Sequence, residues 1–161
     1  MYLFMLNMKI IPRKAVQTDL DLYFDWTNDV DTRNNSFNTQ LVDYQSHINW
    51  FINKIIDKKA LLLVFENEEK TAIGQVRIEQ KPTENIIGIS IDRNFRGLGL
   101  AVPMLEIACK SFFDEFDKKN IHAYIKKTNL ASLKSFQKAG FELINELLIG
   151  EEESYLLAKK Y

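Results

Sequence analysis

Residues 86–113 read IIGISIDRNFRGLGLAVPMLEIACKSFF: an apolar strand, a short turn, two glycines flanking a leucine, and then a helix. A glycine-rich turn that opens a helix exposes several backbone N–H groups with no intrahelical partner, and the helix dipole adds partial positive charge at the same point. Arg96-Gly97-Leu98-Gly99-Leu100-Ala101 therefore has the chemistry of a polyanion cradle. A Cβ at Gly97 or Gly99 would hold the anion off the backbone, or forbid the φ angles that turn the N–H groups inward. The plainer alternative is a glycine-capped strand-to-helix turn.

Elimination narrows the phosphate-binding classes. The chain lacks G-x-x-x-x-G-K-[ST], and G-x-G without a third glycine three residues on does not complete the dinucleotide fingerprint. What remains is R-x-x-G-x-A at Arg96, Gly99 and Ala101, directly after a strand. About thirty residues later comes Asn129-Leu130-Ala131-Ser132, with Phe136 four residues after the serine and Lys138-Ala139-Gly140-Phe141 closing the run. Both runs, in this order, resemble the two signatures of the GNAT superfamily of N-acetyltransferases, and the resemblance extends from Arg13 to the C-terminus.

The resemblance implies an α/β (α+β) fold: a mixed, mostly antiparallel sheet of six to seven strands with about four helices. A central parallel pair would splay apart for the pantetheine arm of acetyl-CoA, the co-substrate, with no metal required. The amides of Arg96, Gly97, Leu98, Gly99, Leu100 and Ala101 would hold the diphosphate. Backbone groups of Ile89 and Ile91 would bond the pantetheine amides, and Asn129, Ser132 and Phe136 would complete the coenzyme site.

Composition is consistent with one domain over residues 1–161, long enough to bury a core without staples. Residues 1–8 read as a floppy leader, too short and too poor in basic residues for a secretory signal. A net charge of -1 gives no long-range basic field, which argues against nucleic acid as a partner. No apolar run reaches the length of a membrane span. The lone Cys109 cannot form an internal disulfide and reads as a small buried hydrophobe in a reducing, cytoplasmic setting. Nothing in the sequence separates monomer from homodimer.

Taken in order, residues 9–12 read as a first strand, and Thr18 as the N-cap of a helix through Trp26. The polar stretch 28–38 reads as turns. Apolar residues at Ile48, Phe51, Ile52, Ile55 and Ile56 mark one face of an amphipathic helix over residues 44–57, leaving His47 and Trp50 off the stripe. Strands follow at 61–66, 71–79 and Asn85–Ile91, the last interrupted by Gly88, which suggests a bulge or a close backbone approach. Pro103 blurs the start of the next helix, whose stripe is Val102, Leu105, Cys109, Phe112, Phe113 and Phe116. A strand at 121–125, parallel to 85–91, a helix at 129–139 ended by Gly140, and two closing strands complete the chain, with Glu151-Glu152-Glu153 as a solvated hairpin.

The string W-x-N-D, R-x-x-S-F, H-x-x-W also resembles GNAT members that acetylate nucleotide-linked amino sugars of pseudaminic and sialic-type acid pathways. On that resemblance Asn28, Arg33, Ser36, His47 and Trp50 would contact a small-molecule amine acceptor. Amine acetylation needs a base and a proton for the departing thiolate. Glu84 is one candidate base, its alternative an exposed turn residue beside Pro82. His47 is the second, its alternative a surface residue. Phe136 stands where many members carry a tyrosine acid, which leaves Tyr124, Tyr155 or water to protonate the thiolate. A protein N-terminus or another metabolite amine remains open as acceptor, and so does a non-catalytic acyl-CoA-binding module.

Overall fold

A computed structural model describes residues 8–116 and 119–161. Most of the leader read at 1–8 thus lies outside the described residues. The strands are β1 (Ile11–Lys14), β2 (Ala60–Glu66), β3 (Ala72–Gln80), β4 (Asn85–Ile91), β5 (Ile121–Lys126), β6 (Glu142–Ile149) and β7 (Glu152–Lys159). They form one sheet in the order β1-β2-β3-β4-β5-β7-β6. The helices are α1 (Leu20–Asn28), α2 (Val30–Asn35), α3 (Tyr44–Ile55), α4 (Ala101–Glu115) and α5 (Leu130–Lys138). Five helices rather than about four arise because the stretch 28–38 is not all turn. Asp29 caps α2 by accepting the N–H groups of Asp31 and Thr32.

β2 is buried on both faces, and its side chains alternate between two cores. Leu61, Leu63 and Phe65 join Met104, Leu105, Cys109 and Phe112 of α4, whereas Leu62 and Val64 join Tyr23, Trp26 and Phe51 of α1 and α3. β3 alternates likewise. Val76 and Ile78 face α4, and Gln75, Arg77 and Glu79 occupy the opposite face, as their period of two requires.

Several local expectations are corrected. The first strand lies at Ile11–Lys14, and Thr18 falls inside a 3₁₀ turn, so that Asp19 rather than Thr18 precedes the α-helix. Arg13 clamps Asp19 with two bonds of 2.7 and 2.8 Å and also reaches Glu66, which ties β1 to the start of α1. In α3 the buried face includes His47, while Ile52 is exposed, as is Ile56 just past the helix end. Gly88 carries no bulge in its pairing with β3: it sits opposite Arg77 in unbroken register. Pro103 lies in the first turn of α4, where its missing N–H would have had no helical partner, and the helix begins at Ala101.

The parallel neighbours β4 and β5 meet over only two register pairs, Asn85↔Ile121 and Ile86↔His122. The Asn85 amide pins this end by donating to the carbonyls of Lys119 and Asn120. Beyond Ile86 the strands part, because β4 stays paired with β3 up to Ile91 and β5 stays paired with β7 up to Lys126. Each follows its own half-sheet, so twist opens a wedge between them.

Candidate functional site

The wedge opens into a cavity of about 1050 Å³, lined on one wall by Gly88, Ile89, Ser90 and Ile91 and on the other by Tyr124 and Ile125. Past Ile86 the inner edge of β4 has no strand partner, so it presents backbone donors and acceptors to any extended ligand. Gly97 and Gly99, also on the cavity wall, have φ of 75° and 76°. A Cβ added at either would meet nothing within 4 Å, so open space lies in front of both. Leu100, the N-cap of α4, supplies no side-chain bond to the helix N–H groups, which are left for a ligand. Leu100 and Ala101 join the lining, and Leu98 packs against the α4 core.

Arg96 lines the cavity, but its guanidinium is held within the protein. Nε donates to the Ile91 carbonyl at 3.0 Å, and the terminal nitrogens reach Asp29 and Asp31 at 2.6 Å. Burial pushes the Asp29 carboxyl up, but Arg96 and the N–H of Thr32 outweigh it and hold the group below the usual carboxylate range. The side chain thus staples the glycine turn to α2, and the open space before the turn lies at Gly97 and Gly99. On the far wall Asn129 caps α5 through the N–H of Ser132, and both line the cavity with Phe136. Phe136 is otherwise core, edge-on to Phe141 with ring centroids 4.9 Å apart.

The residues of the acceptor string divide. Arg33 and Ser36 line the cavity. The Arg33 guanidinium donates to the carbonyls of Thr27, Asn38 and Gln40 and to the Ser36 hydroxyl, which organises the loop after α2. Asn28, His47 and Trp50 are not in the lining. The Asn28 amide clasps both backbone groups of Val42. His47 is 1% exposed, its Nε2 sits 2.9 Å from the Leu20 carbonyl, and its ring stacks with Phe51. Trp50 lies beneath Arg77, whose guanidinium carbon is 5.2 Å from the ring centroid.

Glu84 sits at the pinned end of the wedge. Its Oε2 accepts the Tyr124 hydroxyl at 2.7 Å and lies 3.5 Å from His122 Nδ1. Burial, and then the hydrogen bond to Glu84, push the Tyr124 phenol up to about 12, so at neutral pH it carries its proton on the cavity wall. Tyr155, the other hydroxyl considered, lies outside the lining, under the Lys127 ammonium. Gln75 and Arg77 of β3 also line the cavity: their alternation with Val76 and Ile78 marks a polar face in the sequence, but no local pattern aims that face at a cavity.

A glycine turn with open space before it thus stands at the mouth of a splayed parallel pair, and the comparisons with known proteins give the family that shares this architecture. The acetyltransferase (GNAT) domain family model matches residues 9–142, and the chain belongs to that family. An uncharacterized protein of Methanocaldococcus jannaschii is 26% identical over 139 residues, which cover 84% of this chain and 28% of that relative. The chain thus spans little more than a quarter of the curated relative it matches. Among solved structures, spermidine N-acetyltransferase from Vibrio cholerae, crystallised with CoA and spermine, superposes with a TM-score of 0.81 at 16% identity, covering 93% of this chain and 94% of that one. A domain from Methanocaldococcus jannaschii superposes at 0.79 with 21% identity, covering 95% and 100%. An aminoglycoside acetyltransferase in complex with coenzyme A and kanamycin superposes at 0.77 with 13% identity, covering 94% and 95%. These structures share the fold. Among the described residues no helix is long and apolar enough to cross a membrane.

Proposed function

We propose that this chain transfers the acetyl group of acetyl-CoA to the primary amine of a small molecule, with a nucleotide-linked amino sugar as the favoured acceptor. The observation that carries the reading is the β4–β5 wedge, with an unpaired strand edge at its wall and an open glycine turn at its mouth. The diphosphate rests on the amides of 96–101 and the pantetheine arm lies along Ile89 and Ile91. Arg33 and Ser36, which line the cavity, support the amino-sugar acceptor. The solved relatives crystallised with spermine and kanamycin support a small amine more generally.

In this scheme the neutral amine attacks the thioester carbonyl carbon, and a backbone N–H of β4 near Ile89 stabilises the oxyanion. The C–S bond then breaks, and the proton that the amine surrenders balances the one that the thiolate gains. Glu84 is the proposed base, acting through Tyr124, since the phenol and not the carboxylate lines the cavity. Returning the same proton from Tyr124 to sulfur makes good the phenol missing at Phe136. His47, buried against the Leu20 carbonyl, takes no part in the scheme.

The test is thiol release from acetyl-CoA against a panel of amino sugars, polyamines and peptides. We expect turnover with at least one small amine, and a kcat about 10–100-fold lower in Tyr124→Phe with unchanged affinity for acetyl-CoA. Coenzyme binding without thiol release from any amine would favour the non-catalytic binding module that Phe136 brings to mind.

A further inference from the structure

The polar face of β3 and β4 bears a group that the acetyl-transfer scheme leaves unused. Gln75 stands opposite Ser90, and Arg77 opposite Gly88, so the four positions form a square on the cavity wall. The face belongs to the α1–α3 side of the sheet, away from α4. Gln75 is only 8% exposed, its Nε2 donates to the Ser90 hydroxyl at 3.3 Å, and its Oε1 has no hydrogen-bond partner among the described residues. A buried amide oxygen without a partner is unfavourable unless a ligand supplies a donor.

Arg77 supplies the charge. Among the described residues three arginines and one aspartate line the cavity. Arg96 is bound by Asp29, Asp31 and the Ile91 carbonyl, and Arg33 by the backbone and Ser36. Arg77 differs: among the described residues its one ion pair runs from Nε to Glu79 at 2.8 Å. Glu79 is shared with Lys54 and Lys81, so the carboxylate does not neutralise the guanidinium one for one. Trp50 supports the guanidinium from below. A Cβ built on Gly88 would meet only an Arg77 terminal nitrogen, at 3.8 Å, so that nitrogen overhangs the open space before the strand.

We propose that Gln75 and Arg77 are the acceptor-recognition pair: Gln75 Oε1 takes an N–H or O–H of the acceptor, and Arg77 pairs with an anionic group that the same molecule carries a few bonds from its reactive amine. The inference rests on the acetyl-transfer reading and adds that the preferred acceptor is a zwitterion or an amine with a phosphate, not a polycation. A carboxylate and a phosphate present the same oxygen pair to a guanidinium, so both satisfy the geometry.

The experiment compares thiol release from acetyl-CoA with four amine classes: amino acids, amino-sugar phosphates, neutral amino sugars and spermidine. The expected result is a kcat/KM higher for one of the anionic classes than for spermidine, and which one leads tells carboxylate from phosphate. Arg77→Gln is expected to raise KM for that acceptor about tenfold, a larger rise than for the neutral amine, while leaving KM for acetyl-CoA unchanged. Gln75→Glu, nearly isosteric, is expected to shift preference toward spermidine by placing a carboxylate in the same position, and it serves if Arg77→Gln fails to fold. A preference of the native protein for spermidine, or an equal loss by Arg77→Gln for anionic and neutral amines, would overturn the pair. Thiol release from no amine would overturn the acetyl-transfer reading along with it, whereas release indifferent to acceptor charge would overturn the pair alone.

Discussion

At Gly99 a positive φ and an empty space point to the same requirement. A side chain there is strained by the left-handed backbone and projects into the cavity. Gly99→Trp is therefore expected to abolish measurable CoA binding by calorimetry while the thermal transition survives, because the Cβ there meets no neighbour within 4 Å. Unchanged affinity would refute the assigned turn. Tyr124 offers a second measurement. Its phenol stands above the ordinary 10.0 first because it is buried and next because Glu84 holds its proton. Glu84→Gln removes the charge that favours the protonated phenol, so the Tyr124 titration, followed by tyrosinate absorbance, is expected to move down toward 10.0. Tyr124 was legible in the sequence as a hydroxyl on the right strand. Its partnership with Glu84, forty residues away, was not, because only the pairing of β4 with β5 brings them together.

Among the elements, β1 and α1 are joined by the Arg13–Asp19–Glu66 cluster. Burial pushes the Asp19 carboxyl up, but the bonds from Arg13 and the Val16 N–H outweigh it and hold it below the ordinary 3.8. A carboxyl depressed in the folded state binds its proton more readily when unfolded. The stabilisation is thus complete above about pH 4 and fades as the pH falls through the folded value. Asp19→Asn is expected to lower stability at pH 7 by about 1–2 kcal/mol and to flatten the fall of Tm below pH 4, as calorimetry across pH would register. Helix α3 shows how far periodicity reaches. The sequence revealed an amphipathic helix, but His47, not Ile52, is on the buried side, because the Leu20 carbonyl satisfies the imidazole and aromatic neighbours enclose it. An apolar stripe reports an average direction, and one satisfied polar ring is enough to turn it.

Over the whole molecule, the cavity exists because two half-sheets share only one short contact. α4 holds the first half by packing on β3 at Gly74, where an added Cβ would meet the Ser90 carbonyl oxygen at 2.5 Å and Met104 Cε at 2.9 Å. One of those atoms is backbone of the cavity-lining strand, so relief requires β4 to move. Gly74→Ala is expected to destabilise the fold by about 2–3 kcal/mol, lowering Tm by roughly 5–10 °C, and to weaken CoA binding through displacement of β4. A Tm within a degree of the native protein would show that the sheet and α4 are not clamped there.

The sequence by itself determined whatever depends on near neighbours: the strands at 61–66 and 71–79, the glycines that permit left-handed turns at 97 and 99, and the helix over 129–139 that Gly140 ends. Steric and hydrogen-bonding rules act within a few residues, so these are written locally. Only the tertiary structure decided that Arg96 faces Asp29 and Asp31, that His47 is enclosed, and that Gln75 and Arg77 share the cavity wall with Tyr124. Electrostatic pairing and burial are settled by which segments meet in space, and that depends on how the chain closes its sheet around the wedge.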